Sequence, residues 1–175
     1  MKMMQMLAFA TLATVSVAAF AAAPVLNVSK EVTIDASADK VWNQIKNFDG
    51  LGTWHPAVAT DAIVSGKNNE VGAVRLLTLK DGGTIKEKLL VHDAARHMFK
   101  YSILEGVLPV SNYTSTLRVA KSAKTKTVVT WSGSLQRKDT GPKPADNAND
   151  KTATETMSGV YTAGLDNLKK ISEGK

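Results

Sequence analysis

Cysteine is absent from all 175 residues. That excludes cysteine nucleophiles, thiolate metal sites, covalent c-type haem and any disulfide, so the core alone must hold the fold. Histidine is nearly as scarce. His55, His92 and His97 fall on different elements, without the paired spacing of a zinc site. There is no Gly-x-Ser-x-Gly elbow and no phosphate-cradling glycine loop; Gly82-Gly83 reads as hairpin turn chemistry. No catalytic group, metal site or cofactor is expected from these patterns. Aromatic residues make up only 6% of the chain, so the position of each one is informative.

One apolar run is long enough to matter. Residues 7–20 are apolar apart from small hydroxyl side chains, Lys2 precedes them, and Ala19-Phe20-Ala21 supplies a small-x-small cleavage pattern. This reads as an export signal cleaved near Ala21. The alternative, a membrane anchor, needs about 20 spanning residues and a basic stop-transfer cluster, and the run has neither. The expected organisation is a signal peptide over 1–21 and one domain over 22–175, with no integral membrane segment. Lys and Arg outnumber Asp and Glu by 22 to 16. Outside the cytoplasm nucleic acid is not the expected partner of such a chain. Acidic proteins, anionic lipid headgroups or anionic small molecules are, unless scattered lysines merely keep it soluble.

Periodicity then orders the elements. Val28, Val32 and Ile34 mark a first strand, and Ser37 caps a short helix carrying Ala38, Val41, Trp42 and Ile45 to about Asn47. The stretch 48–52 breaks it, and Thr53-Trp54-His55-Pro56 leads irregularly into a strand over 59–65. Strands over 71–79, 84–92, 98–104, 113–119 and 127–135 follow, joined by hairpin-sized connections, which predicts one antiparallel sheet. A polar loop over 137–150 is long enough to be functional. Met157, Val160, Tyr161, Gly164, Leu165, Leu168 and Ile171 then recur at helical spacing. The expected class is α+β, with a curved sheet wrapping a long C-terminal helix.

Strand alternation puts Ile85, Leu89 and Val91 on one face, with Glu87 among them. A carboxylate on an apolar face needs a cation, a water network or a ligand. Arg75, on a face with Ala73 and Leu77, is a possible partner; an internal Glu–Arg pair and a solvent-facing Glu87 are the alternatives. His92 and His97 flank a turn and are expected to be exposed. His55 either faces a cavity mouth or structures its own loop.

The series Val41-Trp42, Phe48-Asp49, Trp54-His55-Pro56, Gly72-x-Val74-Arg75, Asp81-Gly82-Gly83, Glu87-x-Leu89 and Asn112-Tyr113 resembles the helix-grip superfamily of START-like (SRPBCC) proteins and polyketide cyclases. Within it, the Gly-Thr-Trp-His-Pro segment, the Leu-Lys-Asp-Gly-Gly turn and the stretch from Arg137-Lys138-Asp139-Thr140 through Pro144 to Asn149-Asp150 are similar to periplasmic methanol-oxidation accessory proteins of the MxaD type. The resemblance implies a seven-stranded sheet gripping the C-terminal helix over a cavity. It implies a gate loop at Lys80, Asp81, Gly82 and Gly83, and a latch loop at Leu108, Pro109 and Val110. Trp54, His55, Arg75, Glu87, Tyr101, Tyr113, Trp131, Met157 and Tyr161 are the ligand-binding candidates. Plant hormone receptors of the superfamily carry a ligand-contacting lysine where this chain has Trp54, so their acidic hormone-like ligand does not carry over.

Two functions are therefore expected as alternatives. One is a periplasmic, non-catalytic binder of a small hydrophobic or amphiphilic ligand; the other is a docking factor between a quinoprotein dehydrogenase and its cytochrome. A cyclase-type enzyme using Glu87 and His55 for acid/base work is a third.

Overall fold

A computed structural model describes residues 22–175; the expected export signal lies outside the described residues. The chain order is β1 (Leu26–Ile34), α1 (Ala38–Ile45), a 3-10 helix (Phe48–Thr53), then β2 (Val58–Ser65), β3 (Val74–Leu79), β4 (Thr84–Asp93), β5 (Met98–Gly106), β6 (Val110–Ala123) and β7 (Lys126–Arg137). A short 3-10 turn (Asp146–Ala148) precedes α2 (Asp150–Glu173). The strands form one antiparallel sheet in the order β1-β7-β6-β5-β4-β3-β2. With the long helix in its grip, this is the helix-grip fold.

Local chemistry sets the helix ends. The Ser37 hydroxyl accepts the Lys40 amide, and α1 buries Ala38, Val41, Trp42 and Ile45 along one stripe. Asn149 caps α2 by accepting the Thr152 amide, and Gly174 ends it in the left-handed region at φ 76°. The buried face of α2, including Ala153, Met157, Tyr161, Leu165 and Leu168, packs on β1 and β7. Burying a side chain the size of Leu or Met contributes roughly 1.5–3 kcal/mol, so this stripe is a main source of stability.

The last turn of α2 is fastened to the beginning of the domain. Glu173 accepts the Asp35 amide at 2.9 Å, and Lys169 gives its ammonium to both Glu173 and the Thr33 carbonyl. At its first turn, Asp150 accepts from Arg137 at 2.8 Å. Arg137 also donates to the carbonyls of Asp139 and Gly141, which orders the start of the 137–150 loop.

Four expectations need correction. Residues 48–52 form a 3-10 helix rather than a plain break, because Asn69 and Asn68 accept the amides of Phe48 and Asp49. β3 starts at Val74; Gly72, at φ 96°, and Ala73 still bond Leu89 of β4, while Val71 is exposed outside the strand. A register shift between Leu89 and Val91 turns Val91 outward, away from the face of Ile85 and Leu89. The same shift brings His92 inward, so neither of the later histidines is free in solvent. His92 meets the Lys46 carbonyl and lies against Trp42 and Phe99, and His97 stacks on Trp42 at 5.3 Å.

Candidate functional site

The sheet and α2 enclose two polar constructions in an otherwise apolar core. The first is ionic. Arg75 on β3 sits directly across from Glu87 on β4. Its Nε and Nη2 both approach one oxygen of Glu87, Oε2, at 2.8 and 2.6 Å. Nη1 donates to the Phe48 carbonyl and to Asp61 Oδ2 on β2, the latter at 3.2 Å. The guanidinium lies 4.3 Å over the Phe48 ring and 5.4 Å from that of Tyr101. The internal Glu–Arg pair is thus the alternative that holds for Glu87.

Two carboxylates share one cation here. Burial works against the charge on Arg75, but Glu87 and Asp61 outweigh it and hold its pKa above the ordinary value. Burial pushes both carboxyls up, Asp61 to about 6, with Arg75 pulling the other way. Glu87 makes the shorter contact with Arg75, 2.6 Å against 3.2 Å for Asp61. Asp61 Oδ1 is buried without a hydrogen-bond partner, as a protonated carboxyl tolerates best.

The second construction gathers all three tyrosines of the chain. Trp131 Nε1 donates to the Tyr101 hydroxyl at 3.0 Å, which lies 3.5 Å from that of Tyr113. Tyr113 meets Tyr161 at 2.6 Å, Tyr161 meets Ser115 at 3.0 Å, and Ser115 donates to the Ser132 carbonyl. One directed chain of hydroxyls uses every proton. The Trp131 and Tyr161 rings stack at 4.7 Å. Burial raises all three phenols, Tyr161 to about 12. Gly133 makes the arrangement possible, because a Cβ there would stand 2.2 Å from the Tyr161 hydroxyl oxygen.

His55 anchors the helix to this core. Its Nδ1 accepts the Ala57 amide at 3.2 Å, which leaves Nε2 as the donor to the Val160 carbonyl at 3.0 Å. Burial depresses its pKa and keeps it neutral. Both ring nitrogens are occupied, so His55 has none free for acid/base work with Glu87. Gly164 faces it, and a Cβ at that position would come within 2.6 Å of His55 Cδ2 and 2.8 Å of Trp131.

Between these constructions lies a cavity of about 70 Å³. Of the residues singled out in the sequence, His55, Glu87, Tyr101, Tyr113, Trp131, Met157 and Leu108 line it. Trp54, Arg75 and Tyr161 do not. Trp54 is packed beneath Trp131 at 5.5 Å, Arg75 lies behind Glu87, and Tyr161 is committed to its stack. Sequence reasoning missed the aliphatic wall of Leu51, Val58, Leu77, Leu79 and Ile85, and it missed Asp61 as the second carboxylate on Arg75. Strand alternation with Ile63 was the signal for Asp61. Sites for drug-sized ligands run to roughly 300–1,000 Å³. The aromatic side chains here fill most of the space that such a site would need.

The turn expected as a gate and the segment expected as a latch approach one another at Gly83 and Val107. The turn at Lys80, Asp81, Gly82 and Gly83 closes through the Leu79 amide to the Gly83 carbonyl, with Gly82 at φ 89°. A Cβ on Gly83 would stand 2.9 Å from Val107, whose amide donates to the Thr84 carbonyl. On the latch side, Pro109 accepts the Lys138 amide and Val110 pairs with Arg137.

Among the described residues no cluster of metal-ligating side chains occurs, and no helix is long and apolar enough to cross a membrane.

Solved structures share this architecture. The protein XoxI of Bacillus cereus is 29% identical, with a TM-score of 0.73 over 83% of this chain and 94% of that one. An uncharacterized protein of Bacillus thuringiensis is 28% identical, with a TM-score of 0.74 over 84% and 98%. The Zhui aromatase/cyclase of Streptomyces sp. R1128, at 19% identity and a TM-score of 0.67 over 86% and 94%, shares the fold. A family model described as polyketide cyclase / dehydrase and lipid transport matches residues 25–173. The chain belongs to that family.

Proposed function

We propose that this chain, exported and freed of residues 1–21, is a non-catalytic periplasmic binding protein for a small hydrophobic or amphiphilic molecule. The observation that carries the reading is the cavity between sheet and helix. Its wall is chiefly apolar, and its one carboxylate is Glu87, whose Oε2 takes both bonds from Arg75. Such a wall suits a ligand with an apolar body. The volume takes only the end of such a molecule, so binding requires the wall to open. The MxaD-type sequence features favour a place in methanol oxidation.

Native mass spectrometry of the mature protein from its own host's periplasm tests this. A reproducible added mass that is lost on denaturation is expected. An apo mass that stays unchanged under saturating amphiphile overturns the reading.

A second reading, docking between a dehydrogenase and its cytochrome, is favoured by a basic cleft of about 470 Å³ at the start of α1. Arg96, His97, Arg118, Lys121 and Lys124 line it with Asp39 as the one carboxylate. Among the described residues Arg118, Lys121 and Lys124 have no ion-pair partner. An acidic partner would associate faster through such a patch, and the gain would fade with salt. Charge reversal at Lys121 and Lys124 should abolish that salt dependence. The two readings are compatible in one molecule.

A further inference from the structure

β5 and β6 run side by side from Met98↔Arg118 to Ser102↔Thr114 and then part. Beyond that point β5 stays with β4 as far as Gly106↔Ile85, while β6 stays with β7 as far as Val110↔Arg137. Asn112, at φ 47°, stands in the register shift that turns β6 aside. The sheet is therefore split in its interior, although interior strands normally pair on both sides to satisfy their backbone groups.

The split is a cleft of about 740 Å³, against about 70 Å³ for the cavity behind it. Ile103, Leu108 and Tyr113 line both spaces, so the two are separated by side chains alone. Rotating a side chain is far easier than parting the turn at 80–83 from the segment at 107–110, whose edges are bonded through Val107 and Thr84. The cleft also has an apolar floor and a cation. Leu104 is 52% exposed beside it. Lys138 reaches in from the end of β7, its Nζ donating to the Gly106 carbonyl at 2.9 Å. No carboxylate among the described residues pairs with Lys138, and Glu105, the carboxylate of the cleft, is engaged by Lys86.

We propose that the split between β5 and β6 is both the entrance to the cavity and the seat of an anionic single-chain amphiphile. Its carboxylate lies at Lys138, its chain runs along Leu104 and Leu108, and its tail passes between Ile103 and Tyr113 onto the aliphatic wall of Leu77 and Ile85. This deepens the ligand-binding reading and rests on it. Trp54 offers no cation to an acidic ligand; Lys138, from another element, does.

Calorimetric titration of the mature chain with decanoate and with decanol, both below their aggregation concentrations, tests the assignment. Lys138→Met should weaken decanoate at least tenfold and leave decanol unchanged. Leu104→Cys, the single thiol in this chain, alkylated with a bulky aryl maleimide, should weaken both ligands at least tenfold. If the unsubstituted chain binds both ligands and neither variant alters them, the split is not the site, and the carrier reading survives. If it binds neither ligand, both readings fall for this class of molecule.

Discussion

The hydroxyls of Tyr113 on β6 and Tyr161 on α2 stand 2.6 Å apart, joining the sheet to the helix through a chain of bonds that ends on the Ser132 carbonyl. Removing one link leaves its neighbours buried and unpaired. Tyr161→Phe should cost about 1–3 kcal/mol. Urea unfolding followed by tryptophan fluorescence would measure it, and a loss near zero would mean that the chain of hydroxyls is not cooperative.

The same network has a spectroscopic signature. Burial raises the pKa of every tyrosine in the chain. An alkaline titration at 295 nm should show no tyrosinate step near pH 10, only an abrupt rise when the domain unfolds. A reversible step near pH 10 in the folded protein would contradict it.

Arg75 is the cation for two buried carboxylates, so its removal should be among the most damaging single changes. Arg75→Met strands Glu87 and Asp61 at a cost of about 3–5 kcal/mol, whereas a variant with apolar or amide replacements at all three positions should recover most of it. Glu87→Ala leaves Arg75 with Asp61 alone and should destabilise by about 2–4 kcal/mol. The strand pattern alone suggests that this truncation would leave the domain intact; the pairing with Arg75 says otherwise. Glu87→Gln, which keeps an acceptor for Arg75, is the better probe of binding. Denaturant midpoints of the four variants decide the order.

Asp61 makes stability depend on pH in an unusual direction. Its pKa rises from 3.8 to about 6 on folding, so the folded state binds the proton more tightly than the unfolded one. The contribution is complete below pH 3.8 and is lost as pH rises through 6. Allowing for partial solvation, it is on the order of 2 kcal/mol. Asp61→Asn should reduce that slope, leaving the part that Glu87 contributes in the same direction. Unfolding free energies of both proteins at pH 4 and pH 7 would show it, and parallel curves would refute it.

Gly164→Ala sets two effects against each other. Alanine improves helix propensity by about 1 kcal/mol, but overpacking costs about 1–3 kcal/mol. The new methyl would meet His55 and Trp131, both already fixed by packing or hydrogen bonds. A lower melting temperature is expected, together with a shifted Trp131 emission.

Much of this fold was legible in the chain. Alternation located the strands, since Tyr101, Tyr113 and Trp131 each share an inward face with aliphatic neighbours. Helical spacing located α2, whose inward stripe matches its buried residues. Alternation failed where the ladder slips, as at Leu89 and Val91, because a bulge is a property of two strands together. The site was less legible for a similar reason. Facing inward does not say whether a side chain borders empty space or fills it, and Trp54 and Tyr161 fill it. The split between β5 and β6 depends on where pairing lapses, which neither strand's residues record alone.

Helices ordinarily fray at their last turn, and exchange of their amides with solvent is fastest there. The end of α2 should behave differently. The Asp35 amide, with Lys169 and Lys175 assisting, holds the Glu173 carboxyl well below the usual carboxylate range, so the clasp is made by an ionised Glu173 at neutral pH. Amides in the last turn should therefore exchange more slowly than in a Glu173→Ala variant. Deleting the last few residues should loosen the β1–α1 junction, more than a hundred positions away in the chain but adjacent in the fold.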